Sequence, residues 1–327
     1  MHYTFHDHHP PAQDLLGEVL TGLACQPKQL PPKFFYDRRG SQLFDAITRL
    51  PEYYPTRTEI GILREQGDAI AEHLGHDTVL IELGSGSPQK IRVLLDSLRP
   101  AVYMPVDISG EHLRDSASHI ARDYPDLKVE AVCADYTAGL QLPDMPKDTA
   151  RAAFFPGSSI GNFVPAAAVD LLRDVGRDLG PGGAMLIGVD LKKDRQRLDV
   201  AYNDNQQITA AFNLNLLTRI NREANADFDI NRFGHRAFYN EAEGRIEMHL
   251  VSTCAQKVRV DGHHFRFEAG ETIHTENSYK YSVEEFHELG AEAGYEAEQV
   301  WTDPDELFSV HCLRVMACAD LRGRLAA

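Results

Sequence analysis

The run Val79-Leu80-Ile81-Glu82-Leu83-Gly84-Ser85-Gly86-Ser87-Pro88-Gln89-Lys90 constrains the fold of this chain more than any other. A short, mostly apolar segment ends in a Gly-x-Gly turn, and a helical stripe of Ile91, Leu94, Leu95 and Leu98 follows at once. Strand, glycine turn and helix in that order bring backbone N–H groups and a helix N-terminus against a nucleotide-like ligand. Gln89, after Pro88, stands where the dinucleotide fingerprint has its third glycine, so close packing over a pyrophosphate is not encoded. A ligand with an adenosine and no pyrophosphate fits better, and S-adenosylmethionine is the leading candidate. The turn alone does not choose between them.

The surrounding pattern alternates strand and helix from Thr58 to about Asp194. The spacing predicts helices over 59–74, 89–98, 111–124 and 166–178, and strands over 78–83, 102–106, 128–133, 152–155 and 184–189. Such alternation implies an α/β fold with a doubly wound parallel sheet and crossovers on both faces. Gly180-Pro181-Gly182-Gly183 is a sharp helix-to-strand turn.

Outside that stretch the character changes. Residues 11–57 carry two amphipathic patterns, Leu15/Leu16/Val19/Leu20/Leu23 and Leu43/Phe44/Ile47/Leu50, separated by Pro31-Pro32-Lys33-Phe34-Phe35-Tyr36-Asp37. Pro51-Glu52-Tyr53-Tyr54-Pro55 closes the second, because proline cannot continue a helix. Ile208, Phe212, Leu216 and Ile220 mark a long helix, and 235–275 reads as antiparallel strands with alternation at 245–250 and 265–267. Ser282-Val283-Glu284-Glu285 is a capping box. Two strand-like runs, 298–301 and 308–316, end the pattern. The expected division is a ligand-binding sheet domain of 58–194 plus 280–327, and a second α+β domain of 11–57 plus 195–279, inserted into it.

Composition narrows the partners. A formal net charge of −16 argues against nucleic acid, whose phosphates demand clustered Lys and Arg. No apolar run approaches the ~20 residues that span a bilayer, and the N-terminus has no signal-peptide pattern. Cys25, Cys133, Cys254, Cys312 and Cys318 are scattered without a CxxC, which reads as reduced thiols in a cytoplasmic protein. His6, His8 and His9 read as a solvated terminus, and no metal site is expected. Oligomeric state is left open, with a monomer as the default.

The cofactor reading gains support at successive strand ends. Asp107 ends the second strand of the array, 23 residues after Gly84, near the ~20 expected of a ribose-binding acid. Asp135-Tyr136 ends the third strand, where an acid and an aromatic can meet an adenine. Lys90, just inside the first helix, can reach a carboxylate such as a methionine tail. Each has an ordinary alternative as loop cap, packing ring or solvated charge, but their coincidence at three strand ends favours the cofactor.

The segments Pro32 to Asp37, Leu50 to Arg57, Glu82-Leu83-Gly84-Ser85-Gly86 and Gly157-Ser158-Ser159-Ile160-Gly161-Asn162 resemble the histidine-specific Nα-methyltransferases of ergothioneine biosynthesis (the EgtD family). The likeness continues through Ala201-Tyr202-Asn203-Asp204, Arg245-Ile246-Glu247-Met248 and Thr275-Glu276-Asn277-Ser278, from about residue 15 over nearly the whole chain. It implies a class-I (Rossmann-like) methyltransferase that trimethylates the α-amine of L-histidine to hercynine, with S-adenosylmethionine as donor. By that likeness Tyr36, Gly84, Gly86, Lys90, Asp107, Asp135 and Tyr136 surround the cofactor and its approach to substrate. Gly157, Asn162 and Tyr202 hold the amine and carboxylate, and Tyr53, Met248, Glu276 and Ser278 form the imidazole pocket, with histidine entering between the two domains. Tyr36 and Asn162 are the catalytic candidates, with Tyr36 expected nearest the methylated nitrogen. Tyr136 stands where relatives often carry Phe, and His249 and Tyr279 where relatives carry Trp and Cys.

The residues themselves agree in part. Glu276 and Ser278 are two apart in an extended stretch, so both leave one strand face, and a carboxylate and hydroxyl there can receive imidazole N–H groups. The ordinary alternative is a solvated strand end in which Lys280 pairs with Glu276. Met248 can equally be strand-face core. Three rival functions remain in view: a methyltransferase for another amino acid or small amine, a nicotinamide dehydrogenase, and a non-catalytic S-adenosylmethionine-binding subunit. Gln89 and the lack of a hydride-site pattern weigh against the dehydrogenase, and an intact glycine turn weighs against the silent subunit.

Overall fold

The computed structural model describes residues 3–8, 14–86, 88–140, 142–143 and 149–317. His9, Ser87 and Cys318, singled out in the sequence, lie outside the described residues. The chain opens with strand β1 (Thr4–Asp7), helix α1 (Leu15–Ala24), the short strand β2 (Lys28–Gln29) and helix α2 (Arg38–Ile47). Helices α3 (Tyr54–Glu65) and α4 (Gly67–Leu74) lead into β3 (Val79–Leu83), α5 (Pro88–Leu98), β4 (Val102–Asp107) and α6 (Gly110–Asp123). Then come β5 (Lys128–Cys133), β6 (Arg151–Phe155), α7 (Pro165–Leu179), β7 (Ala184–Asp190), α8 (Arg195–Tyr202) and α9 (Ile208–Glu223). Strands β8 (Phe233–Asn240), β9 (Arg245–Ser252), β10 (Gln256–Val260), β11 (His263–Phe267) and β12 (Thr272–Tyr279) follow. Helix α10 (Val283–Glu292) and strands β13 (Tyr295–Thr302) and β14 (Phe308–Val315) complete the order.

Two compact units result: Met1–Pro10, Pro55–Lys192 and Lys280–Ala327 form the first, Pro11–Tyr54 and Lys193–Tyr279 the second. The first unit is built on one sheet in the order β1-β5-β4-β3-β6-β7-β14-β13. The strands from β1 to β7 in that order run parallel, and β14 and β13 are added antiparallel at one edge. All five residues of β3 are buried, as a central strand covered on both faces requires. Ile62, Leu63, Ile70, Ile91, Leu94, Leu98, Leu113 and Ile120 of α3 to α6 cover Leu80, Tyr103, Val129 and Phe154 of the sheet. Crossovers through α5 and α6 step one way from β3 and the crossover through α7 steps the other way. With right-handed connections α7 therefore falls on the opposite face. The doubly wound parallel sheet expected from the alternation is present, and its order reverses between β3 and β6.

Two expectations are corrected here. The N-terminal residues are not a solvated tail throughout, because Thr4–Asp7 pairs in parallel with Glu130–Cys133 as an edge strand and the His6 ring lies 3.3 Å from Glu130. The single helix over 59–74 is two helices. The chain leaves helical geometry at Gln66 (φ −110°, ψ 9°), before Gly67, whose missing side chain makes room for Ser97 of α5.

The second unit holds a four-stranded sheet in the order β2-β12-β9-β8, with β8, β9 and β12 antiparallel, and a separate β10–β11 hairpin. Alternation assigns Ile246, Met248 and Leu250 of β9 to one face, all buried, and Arg245, Glu247 and His249 to the other. Helix α9 packs against α2 and the turn Pro32–Phe35, with the Phe35 and Phe212 rings stacked at 4.6 Å. Phe34 and Phe35, held behind two prolines, are fully buried core residues. No helix among the described residues is long and apolar enough to cross a membrane, and Cys25, Cys133, Cys254 and Cys312 form no disulfide among them.

Candidate functional site

In doubly wound sheets the ligand crevice opens beyond the carboxyl ends of the strands where the order reverses, here β3 and β6. At the end of β3 the chain turns through Gly84 (φ +73°), and the Gly84 and Ser85 N–H groups donate to the Val106 carbonyl of β4. The Tyr136 ring stands 3.9 Å from where a Gly84 side chain would begin, and it meets Phe155 edge-on at 5.6 Å. An aromatic wall thus lines the glycine corner. A side chain at Gly86 would meet nothing within 4 Å among the described residues.

Asp107 ends β4 beside that corner. Its Oδ1 accepts the Ser109 N–H at 2.7 Å. Burial pushes its carboxyl above the ordinary range, opposed by that N–H and by His112. The His112 ring also contacts the Gly86 carbonyl, fastening α6 to the glycine turn. Asp135 caps the turn Tyr136–Ala138 by accepting the Thr137 N–H at 2.9 Å, so its loop-cap role is real. Burial, with the charges of Asp107 and Asp135 adding to it, pushes the Tyr136 phenol far up and keeps it neutral.

Lys90 is not a solvated helix charge. Its ammonium lies 2.6 Å from Glu59 Oε2 on α3, and the Glu59 side chain is 0% exposed. Both Glu59 oxygens also accept the Gly157 N–H, each at 3.0 Å. Gly157, in left-handed backbone (φ +78°) just past β6, would place a Cβ only 3.1 Å from the Lys90 ammonium. Ser158 beside it accepts the Asp190 N–H at 2.9 Å and ties this turn to β7. Asn162 is half-buried at the end of the same turn. A second buried acid, Glu82 in β3, accepts from the Tyr103 hydroxyl at 2.5 Å, and burial raises it to about 7.

The second unit gathers the remaining candidates. Tyr202, at the end of α8, donates its hydroxyl to Ser278 Oγ at 2.8 Å, and its ring lies edge-on to Tyr53 at 6.2 Å. Phe44 bridges Tyr53 and Tyr36, with ring centroids at 6.5 and 5.8 Å, and Tyr36 also meets Phe212 at 5.9 Å. On β12 a register shift between His274 and Glu276 sets Glu276 opposite Met248 and Ser278 opposite Ile246. Glu276, Ser278 and Met248 therefore share one face. Behind them, Asn213 donates to His235 Nδ1 at 2.9 Å, His235 Nε2 donates to the Tyr202 carbonyl at 2.9 Å, and Thr275 joins Asn213 to the Met248 carbonyl. Burial lowers His235, which keeps it neutral and able to accept at one nitrogen while donating at the other.

The structure thus brings Gly84, Asp107 and Tyr136 together, joins Lys90 to Gly157, and groups Tyr36, Tyr53, Tyr202, Met248, Glu276 and Ser278 in the second unit. Lys280 is not a solvated partner at a strand end. It is 2% exposed, and its ammonium lies 2.7 Å from the equally buried Asp190. His249 and Tyr279 pair in register with His274 and Arg245, on the face opposite Met248. Sequence reasoning missed Glu59, Glu82, His112 and the Asn213–His235–Thr275 chain. Glu59 left one signal: it occupies the buried stripe of α3, three and four residues before Ile62 and Leu63.

Among the described residues two groups of metal-ligating types come close together, His73/Glu298/Cys312 and Glu247/His249/His274. In both, an arginine already holds the carboxylate: Arg314 reaches Glu298 at 2.6 Å and Arg245 reaches Glu247 at 2.7 Å. Each of these carboxylates thus already has a counter-charge. The donors around Gly84 suit an adenosyl amino acid instead: an acid beside the turn, an aromatic wall and an ammonium.

A family model described as "Histidine-specific methyltransferase, SAM-dependent" matches residues 15–315. Histidine N-alpha-methyltransferase of Mycolicibacterium smegmatis is 45% identical over 299 residues, covering 90% of this chain and 92% of that protein. The histidine N-alpha-methyltransferase of Mycobacterium tuberculosis is 43% identical over 295 residues, 88% and 91% of the two chains. Ergothioneine biosynthesis protein 1 of Neurospora crassa is 34% identical over 297 residues, 88% of this chain and 33% of that much longer protein.

Proposed function

The chain belongs to the SAM-dependent, histidine-specific methyltransferase family, and on that premise we propose that it trimethylates the α-amine of L-histidine to hercynine. The observation that carries the substrate is the polar pair Glu276 and Ser278 on the strand face of buried Met248, with Tyr202 bonded to Ser278. A wall of that kind can accept N–H groups from a polar ring, which a purely apolar side chain cannot supply. Sites built on such hydrogen bonds reject analogues lacking them by about 10⁴-fold or more.

S-adenosylmethionine, when bound, supplies an electrophilic methyl on a sulfonium. The first unit's residues have the remaining tasks. Asp107 takes the ribose hydroxyls, Tyr136 and Asp135 the adenine, and Lys90 the methionine carboxylate, while Gly84 and Gly86 let the backbone approach. Asn162 and the Gly157 turn orient the amino acid's amine and carboxylate, a task that falls in the second unit to Tyr202.

Methyl transfer needs the amine neutral. The α-amine of a free amino acid titrates above the peptide α-amino value of about 8, because its own carboxylate favours the ammonium, so the neutral form at pH 7 costs more than about 1.4 kcal/mol yet well under the orientation contribution. No strong base is required, so orientation is the larger contribution, worth up to roughly 7–11 kcal/mol for well-placed partners. Tyr36 suits the site nearest the nitrogen, because its ring face favours the growing cation without adding a charge. Cysteines that form no disulfide among the described residues fit a reducing, cytoplasmic setting.

The test is mass spectrometry of histidine, phenylalanine and tryptophan incubated with enzyme and S-adenosylmethionine. Histidine alone gains roughly 42 Da, three CH₂ increments, and Glu276→Ala erodes that preference. Equal methylation of phenylalanine, or none of histidine, overturns the reading.

A further inference from the structure

We infer that Glu59 is a positioning residue for methyl transfer, holding Lys90 and the Gly157 turn in register across the switch point; this rests on the function proposed above. Glu59 cannot meet a ligand itself, because its side chain is 0% exposed and both oxygens accept bonds from within the first unit. One partner belongs to the cofactor side, the Lys90 ammonium at the start of α5. The other, the Gly157 N–H at 3.0 Å, belongs to the turn proposed to hold the amino acid. A single carboxylate therefore ties the start of α5, which follows the β3 turn, to the loop after β6.

The surroundings are built for it. A Cβ at Gly188, in the middle of β7, would stand 2.2 Å from Glu59 Oε1. Glycine weakens a strand interior, so its presence there marks a backbone that must admit another group. Gly157 is confined from the other side, with the Lys90 ammonium 3.1 Å from its would-be Cβ. Charge gives the arrangement its direction. An isolated carboxylate without solvent is prohibitively costly, so Glu59 requires the ammonium, and the Lys90 side chain, 14% exposed, gains a fixed counter-charge in return. An ammonium has three donors; held by Glu59 through one, it presents the others in a fixed direction to an incoming carboxylate. Removal of Glu59 frees Lys90 and the turn at once, and misplacement by about 1 Å at a reacting centre costs on the order of 10²-fold in rate.

The experiment compares wild type, Glu59→Gln, Glu59→Asp, Lys90→Met and the Glu59→Gln/Lys90→Met double variant. Readouts are kcat, both KM values, calorimetric binding of S-adenosylhomocysteine and histidine, and thermal melting. Glu59→Gln should lower kcat about 100-fold with both substrates saturating, while histidine affinity changes less than about 5-fold. Glu59→Asp, which restores the charge on a shorter arm, should recover part of that loss. Because the two residues act as a unit, the double variant should bind S-adenosylhomocysteine about as weakly as Lys90→Met alone. A folded Glu59→Gln enzyme within about 3-fold of wild-type kcat would overturn the inference, as would binding losses that multiply in the double variant. If neither Glu59 variant folds, Glu59 serves stability instead and the inference fails. Wild-type enzyme that leaves histidine unmethylated sinks the proposed function, a separate outcome.

Discussion

Glu82→Gln should stabilise this protein, and by an amount that grows with pH. Glu82 is 1% exposed in the middle of the parallel sheet, next to the glycine corner. Burial raises its carboxyl from 4.5 to about 7, against the opposing pull of the Tyr103 and Ser85 hydroxyls and the Lys90 charge. The unfolded chain therefore ionises Glu82 near pH 4.5 and the folded protein only near 7, so between those values the native state binds more protons. Stability then falls as pH rises through that window and levels off above it. At 1.36 kcal/mol per pH unit the full loss is about 3 kcal/mol, of which about 1 is present by pH 5 and about 2 by pH 6. Glutamine keeps an acceptor for the Tyr103 hydroxyl and carries no proton to lose. Thermal melts of wild type and variant at pH 5, 6 and 8 read the difference directly. For a unit of this size about 3 kcal/mol corresponds to roughly 6–12 °C at pH 8, shrinking towards pH 5. A melting difference that stays constant across that range would refute the reasoning, since only a titrating Glu82 gives it a slope.

Two further substitutions probe separate parts of the molecule. Ser278→Ala removes the acceptor of the Tyr202 hydroxyl, so KM for histidine should rise about 10-fold while calorimetry shows unchanged S-adenosylhomocysteine binding. Lys280→Met leaves Asp190 without its ammonium in a site where both side chains are 1% exposed, and denaturant unfolding should show a loss of about 3–5 kcal/mol. Adding Asp190→Leu should recover most of it.

The β-α alternation was legible because central parallel strands read as continuous apolar runs and their helices as one-sided stripes. The edge strand Thr4–Asp7 was not, since four residues with three polar side chains carry no pattern and only pairing with β5 orders them. The break at Gln66 was hidden because Ile62, Leu63, Ile70 and Leu74 keep one stripe through it. At the site, Gly84, Asp107 and Tyr136 could be placed from strand ends alone. Tyr36, Tyr53 and Tyr202 came from family likeness, because their meeting depends on aromatic packing between distant segments. Glu59 showed only as an acid in the buried stripe of α3, and its role was hidden because its partner Gly157 lies 98 residues away. Lys280 misled by proximity, since its nearest acid in sequence is not the buried Asp190 that holds it.

The central claim is that the Gly84 corner receives the adenosyl group while the Glu276–Ser278 strand receives a histidine ring. A crystal structure grown with S-adenosylhomocysteine and histidine measures both contacts at once. The account predicts the ribose hydroxyls on Asp107 and the imidazole nitrogens within hydrogen-bond distance of Glu276 and Ser278. Imidazole bound elsewhere, or a ribose away from Asp107, would contradict it.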